Sequence, residues 1–279
     1  MKVGVNMLLW TAGVGKEHYP LFESIKGWGA DGVEVPIFSW DVSDWNALGE
    51  HLDNVGLERT AVAVLPQGTN LISDDPKERQ AAVDFLKGCV DRCVALGAEV
   101  LAGPYYSPVG RLVGRGPTDE ERKRCVEGLR EVGEHAAAVD ITLAFEPLNR
   151  FETYFVNTQA DATRISRAVG LGNVGQMYDT FHANIEEKRI EDAIQAGGEY
   201  IRHVHISAND RGTPGEDHID YETTFAALKR IGYDGWLVIE AFGQRLPELA
   251  AATCVWRSLA PSEEHVMREG IRFVREHWK

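Results

Sequence analysis

Four residues of metal-ligand type close four successive apolar segments: Glu146 in ITLAFEPLNR, Asp179 in VGQMYDTFHAN, His205 in RHVHISAND and Glu240 in WLVIEAFG. Carboxylate oxygens with one imidazole nitrogen form a mixed donor set suited to a divalent cation. The gaps between them are 33, 26 and 35 residues, each long enough for one helix and one strand. In a (β/α)8 barrel of about 250 residues, the C-terminal ends of all eight strands open on one mouth. If the four segments are barrel strands, their terminal side chains meet there. One glutamate at a strand end is ordinarily solvated or ion-paired; four residues of ligand type in consecutive units point to a site.

The elements needed to position these residues are legible along the whole chain. Short apolar runs recur as VGVNM (3–7), GVEVPIF (32–38), RTAVAVL (59–65), AEVLAGP (98–104), ITLAFE (141–146), NVGQMYD (173–179), RHVHIS (202–207) and WLVIE (236–240). Near-continuous apolar runs are expected of strands buried on both faces. Between them lie helical patterns such as PKERQAAVDFLKGCVDRCVALG and DEERKRCVEGLREVGEHAAAV. Their acidic starts suit the helix macrodipole, and glycines follow several helix ends. Alternation of β and α segments implies a parallel sheet, and eight of each imply a closed barrel. The expected fold is therefore α/β, a (β/α)8 TIM barrel, with residues 1–279 as one domain ending in the amphipathic helix SEEHVMREGIRFVREHW. No GxGxxG turn follows the first strand, which weighs against dinucleotide binding. The longest loop expected is 103–118, GPYYSPVGRLVGRGPT, a cover for the mouth. Because alternate strand residues share a face, His203 and His205 point one way in RHVHIS, as do Trp236, Val238 and Glu240 in WLVIE.

Composition narrows the function. The chain has 279 residues, 44% hydrophobic and 26% charged, with a net charge of −14. That charge disfavours nucleic acid, whose phosphates require cationic partners. The four cysteines, Cys89, Cys93, Cys125 and Cys254, show no pairing pattern, as expected of reduced thiols in a cytoplasmic protein. The apolar N-terminus MKVGVNMLLW is too short for a signal sequence or a membrane span, and no membrane association is expected.

EPLNRFE, DTFHAN, HISANDRGTPG and IEAF together resemble the ketose 3-epimerases, the D-tagatose/D-allulose (psicose) and L-ribulose 3-epimerase group of the xylose-isomerase-like barrel superfamily. GVEVP and GPYYS also fit, so the resemblance spans the chain. It implies metal ligation by Glu146, Asp179, His205 and Glu240, and substrate contacts from Glu152, His182 and Arg211. It also implies a free ketose substrate, a divalent metal ion (Mn²⁺ first, with Mg²⁺ and Co²⁺ as alternatives) and a homodimer or homotetramer. One departure is visible: where the family often has a further Gly and a Trp after NDRGTPG, this chain reads EDHIDY (216–221).

Such a set suits proton transfer next to a carbonyl. Removing the C3 hydrogen of a ketose gives an enediolate, and returning a proton to the other face inverts C3. Glu146 and Glu240, from the fifth and eighth strands, would stand across the mouth on opposite faces of the sugar as the catalytic acid and base. Arg211 would bind the carbonyl-side oxygens, His182 would donate to O2, and Glu152 would accept from the O1 or O2 hydroxyl. The nearest rival is an aldose–ketose or hydroxypyruvate-type isomerase on the same scaffold. A polyol dehydratase, a barrel endonuclease and a non-catalytic sugar-binding module stand further off. Arg245, in the last strand-to-helix turn, is a candidate phosphate contact. Trp10, Tyr105 and Tyr106 are candidates for contact with the sugar.

Overall fold

The computed structural model describes residues 1–40 and 44–279. The apolar runs become β1 (Lys2–Asn6), β2 (Gly32–Pro36), β3 (Glu58–Val62), β4 (Val100–Gly103), β5 (Thr142–Phe145), β6 (Val174–Asp179), β7 (Ile201–Ile206) and β8 (Trp236–Ile239). They pair in parallel in chain order, and β8 pairs back to β1, closing the barrel. Each strand overlaps its expected run. The largest discrepancy is in β3, which ends at Val62 although its run continues to Leu65.

The outer ring comprises α1 (Tyr19–Gly27), α2 (Trp45–Val55), α3 (Pro76–Leu96), α4 (Asp119–Ala137), α5 (Gln159–Val169), α6 (Thr180–Glu186), α7 (Ile190–Gly197), α8 (Tyr221–Arg230), α9 (Pro247–Ala252) and α10 (Glu263–His277). Two of the expected helix-end glycines, Gly97 and Gly170, take left-handed φ values of +74° and +72° and turn α3 and α5 towards β4 and β6. The C-terminal helix α10 packs on β1 and β8. Among the described residues, no helix is long and apolar enough to cross a membrane. Cys89, Cys93 and Cys125 are buried free thiols, and Cys254 is an exposed one.

Among the described residues three apolar clusters separate, one of them (Leu8, Val62, Phe242, Ala250 and Val255) at the mouth and two deeper in the shell. The larger lies between strands and helices. The smaller, Val100, Ala102, Ala144, Met177, Trp236 and Val238, fills the barrel interior. Its floor is the Trp236 ring. A Cβ on Gly32 would fall 2.5 Å from that ring and 2.3 Å from the Glu58 carbonyl oxygen, so only glycine fits there. Above this apolar layer, the same interior-facing alternation brings Asn6, Glu34, Thr60, His203 and His205 inward.

β7 reaches that phase through a register shift. Gln176 and Met177 of β6 pair with Ile201 and His203, leaving Arg202 as an extra residue. An extra residue re-aims the side chains that follow it. Ile201 thus joins the strand–helix core, while His203 and His205 face the interior.

Candidate active site

Glu146 and Glu240 directly follow β5 and β8, Asp179 ends β6, and His205 is the penultimate residue of β7. One ligand atom from each lies within 4.8 Å of every other, and all four residues are buried. Glu146 Oε1 and His205 Nδ1 are buried polar atoms without a hydrogen-bond partner. Orphaned acceptors cost free energy unless something occupies them. Three carboxylates and an imidazole, with unpartnered atoms facing one another, fit a divalent cation.

Local chain chemistry aims each group. Asp179 is the N-cap of α6: its Oδ1 accepts from the Phe181 and His182 backbone N–H groups at 2.6 and 3.1 Å. This leaves Oδ2 pointing inward, where it accepts from Ser207 Oγ at 2.8 Å and stands 3.7 Å from His205 Nδ1. Glu240 Oε2 accepts from Arg211 Nη1 at 2.8 Å, and its Oε1 lies 3.3 Å from His205 Nδ1. The Arg211 guanidinium is clamped between aromatic rings, 3.8 Å from the Phe181 centroid and 5.0 Å from that of Phe242.

His182 is also within reach, 3.6 Å from Glu146 Oε1 through its Nε2. The Asn149 backbone N–H donates to His182 Nδ1 at 3.0 Å. Arg211 Nη2, which can only donate, stands 3.1 Å from His182 Nε2, so donors face both ring nitrogens of His182. Burial, with Arg211 and His205 nearby, holds the His182 pKa well below its ordinary value. Glu152 accepts from Asn149 Nδ2 at 2.8 Å.

Considering protein groups alone, the carboxylates differ in environment. Burial pushes Glu146 well up, reinforced by Glu240 and Asp179. Asp179 is also raised, chiefly by burial, against the pull of Arg211. Glu240 resists burial, because His205 and Arg211 beside it hold its carboxyl below the usual range. Crowded like charges that cannot all ionise share protons unless a cation joins them.

A cavity of about 170 Å³ opens above this group, lined by Glu146, Glu152, His182, Arg211 and Glu240 together with apolar side chains that include Leu8, Phe38, Val62 and Phe242. All seven candidate residues thus belong to one neighbourhood. Other candidates lie elsewhere. Trp10 is buried in the core, as are Tyr105 and Tyr106, and none of the three lines the cavity. The Tyr105 hydroxyl instead donates to the Leu101 carbonyl at 3.1 Å. From loop 103–118, Pro104 and Val109 do reach the cavity. Arg245 lines a separate cleft of about 190 Å³ with Arg257 and Ser262. Sequence reasoning passed over Glu34, Asn6 and Thr60, which meet beneath His205. The missed signal was a charged residue inside the apolar run GVEVP, in phase with the barrel interior.

Residues 22–277 match the family described as the xylose isomerase-like TIM barrel. Over its whole length the chain is 34% identical to the probable ketose 3-epimerase of Synechocystis sp., covering 97% of that protein. The chain belongs to the ketose 3-epimerase family. A further family member, the ketose 3-epimerase of Arthrobacter globiformis, is 32% identical over 99% of this chain and 96% of its own. The same architecture appears in the crystal structure of the D-allulose 3-epimerase from Methylomonas sp. in complex with D-allulose. That structure superposes with a TM-score of 0.92 at 26% identity, covering 99% of this chain and 97% of the other. Family membership makes the chain a carbohydrate epimerase of the isomerase class.

Proposed function

We propose that this protein inverts C3 of free ketoses, of the D-allulose/D-fructose, D-tagatose/D-sorbose or L-ribulose/L-xylulose type. The observation that carries the reading is the convergence of Glu146 and Glu240. They come from strands that are not neighbours, yet their carboxyl oxygens lie within 4.8 Å at a mouth that also holds His182 and Arg211.

Glu146, Asp179, His205 and Glu240 would hold the metal. Bound there, a divalent ion such as Mn²⁺, Mg²⁺ or Co²⁺ supplies Lewis-acid stabilisation of charge developing on the sugar oxygens. The protein's own groups do the rest. In one direction the Glu240 carboxylate takes the C3 proton, the C3–H electron pair moves into a C2–C3 double bond, and the C2 carbonyl oxygen gains negative charge. Arg211 and, in this reading, His182 direct donors at that oxygen, where fixed dipoles are most effective. Glu146 returns a proton to the opposite face, and the two glutamates exchange roles in the reverse direction. Glu152 accepts from a hydroxyl at the O1–O2 end and fixes the sugar's orientation. The apolar remainder of the cavity receives the far end of the sugar.

The test is Glu240→Gln assayed on a panel of ketohexoses and ketopentoses, with products separated by chromatography. The variant is expected to fold and to lose C3 inversion, whereas wild type in D₂O incorporates deuterium at C3. Wild-type turnover by the variant removes the two-carboxylate mechanism. Aldose products in place of ketose epimers would transfer the site to the isomerase reading.

A further inference from the structure

Glu34 is a fully buried carboxylate beneath the mouth that plays no part in the chemistry above. It does not line the sugar cavity. Both of its oxygens are engaged. Oε1 accepts from Asn6 Nδ2 at 2.9 Å and lies 2.7 Å from His205 Nε2; Oε2 accepts from Thr60 Oγ1 at 3.0 Å and lies 2.7 Å from His203 Nε2. Hydrogen bonds reach it from Asn6 of β1, Thr60 of β3 and His205 of β7, while His203 Nε2 stands close without hydrogen-bond geometry.

Glu34, His203 and His205 also form a group of metal-ligand type, but the distances argue against a second cation among them. The 2.7 Å separation of His205 Nε2 from Glu34 Oε1 is that of a charge-assisted hydrogen bond. Two ligands at right angles on one ion, each at about 2.1 Å, stand roughly 3 Å apart.

A carboxylate only accepts, so the proton between Glu34 Oε1 and His205 belongs on Nε2. In the neutral ring the lone pair then sits on Nδ1. That atom is the one facing Glu240 Oε1 at 3.3 Å and Asp179 Oδ2 at 3.7 Å. We infer that Glu34 is a positioning residue, fixing His205 in its Nε2–H form so that the Nδ1 lone pair faces the metal position; this rests on the metal site proposed above. Asn6 extends the support. Its Oδ1 accepts from the Leu8 backbone N–H at 2.8 Å, which orients its amide nitrogen towards Glu34 and, at 3.4 Å, towards Glu240 Oε1. Carboxylates that orient a ligating histidine are worth about 10- to 100-fold in metal affinity.

The experiment titrates metal-free wild type, Glu34→Leu and Glu34→Gln with Mn²⁺, following free Mn²⁺ by electron paramagnetic resonance. Circular dichroism reports folding of each protein. Folded Glu34→Leu, which has no acceptor, is expected to bind about 10- to 100-fold more weakly. Glu34→Gln keeps an acceptor oxygen for His205 and is expected to stay near wild type. In isotope-labelled wild type loaded with diamagnetic Mg²⁺, the His205 proton is expected on Nε2, shifted downfield by its carboxylate partner. Wild-type Mn²⁺ affinity in folded Glu34→Leu overturns the inference. So does a proton on Nδ1 of His205 in the Mg²⁺-loaded wild type, even if the leucine variant fails to fold. Wild type that binds no Mn²⁺ overturns the metal site itself and this inference with it, whereas retained binding in Glu34→Leu removes only the role of Glu34.

Discussion

Arg211 has a left-handed backbone, with φ at +68°, a conformation that costs a non-glycine residue on the order of 1 kcal/mol. What offsets it is where the side chain arrives: between Phe181 and Phe242, with Nη1 on Glu240 Oε2 at 2.8 Å and Nη2 beside His182. A planar fork meets these demands together, and a lysine ammonium cannot. Arg211→Lys is therefore expected to fold and to lower kcat/KM about 10- to 100-fold, or about 1.4–2.7 kcal/mol of transition-state stabilisation. Steady-state epimerisation alongside circular dichroism checks this, and an unchanged kcat/KM would reduce Arg211 to a bystander. At this scale the sequence was readable wherever a polar residue ended an apolar run, as at Glu146, Asp179, His205 and Glu240. It was not readable where a partner is defined only by distance across strands. Asn149 is recognisable only because its N–H meets His182, and Ser207 only because its hydroxyl meets Asp179.

The elements were legible because two periodicities alternate and because their ends carry local chemistry. The acidic start of α4 is an example. Thr118 Oγ1 accepts from the Glu121 N–H at 3.2 Å, and Glu121 Oε2 accepts from the Thr118 N–H at 2.7 Å, a reciprocal cap. Burial pushes the Glu121 carboxyl up, but Arg115, the Thr118 N–H and the Tyr154 hydroxyl outweigh it and hold the pKa at about 2 against an ordinary 4.5. A depressed carboxylate stabilises the fold fully above its unfolded value, and the contribution is lost as pH falls through the folded value. Wild type is thus expected to exceed Glu121→Gln by about 1 kcal/mol at neutral pH. That margin should shrink between pH 4.5 and about 2. Urea unfolding of both proteins at pH 7 and at acid pH measures it; a margin independent of pH would show that the charge of Glu121 contributes nothing. The β7 register shift at Arg202 had no such local signature. It is set by pairing with the neighbouring strand β6, so the inward phase of both histidines was legible but the bulge that produces it was not.

For the whole molecule, closure of the barrel concentrates charge. The strands bring the buried carboxylates Glu34, Glu146, Asp179 and Glu240 together, with Arg211 as the permanently charged cation among them. Such a mouth is costly to assemble from protein groups alone, and a ligand that binds only the folded state recovers that cost by mass action. At a hundredfold excess over Kd the gain is about 2.7 kcal/mol. At roughly 2–4 °C per kcal/mol for a large single domain, Mn²⁺ should raise Tm by about 5–10 °C over protein held in chelator. Asp179→Asn, which can keep the cap of α6 through its amide oxygen, should melt at nearly the same temperature with and without Mn²⁺, because it loses a ligand charge. The gain should also depend on pH in a defined direction. Burial raises the proton affinity of Glu146 and Asp179, so the cation must displace protons that these carboxyls hold more tightly than ordinary ones do. Lowering the pH strengthens that competition, and the Mn²⁺-dependent rise in Tm should fall with it. Thermal melts with and without Mn²⁺ across a pH series measure the difference directly. A rise that is constant with pH would place the cation away from these two carboxylates, and no rise at all would leave the mouth without its metal.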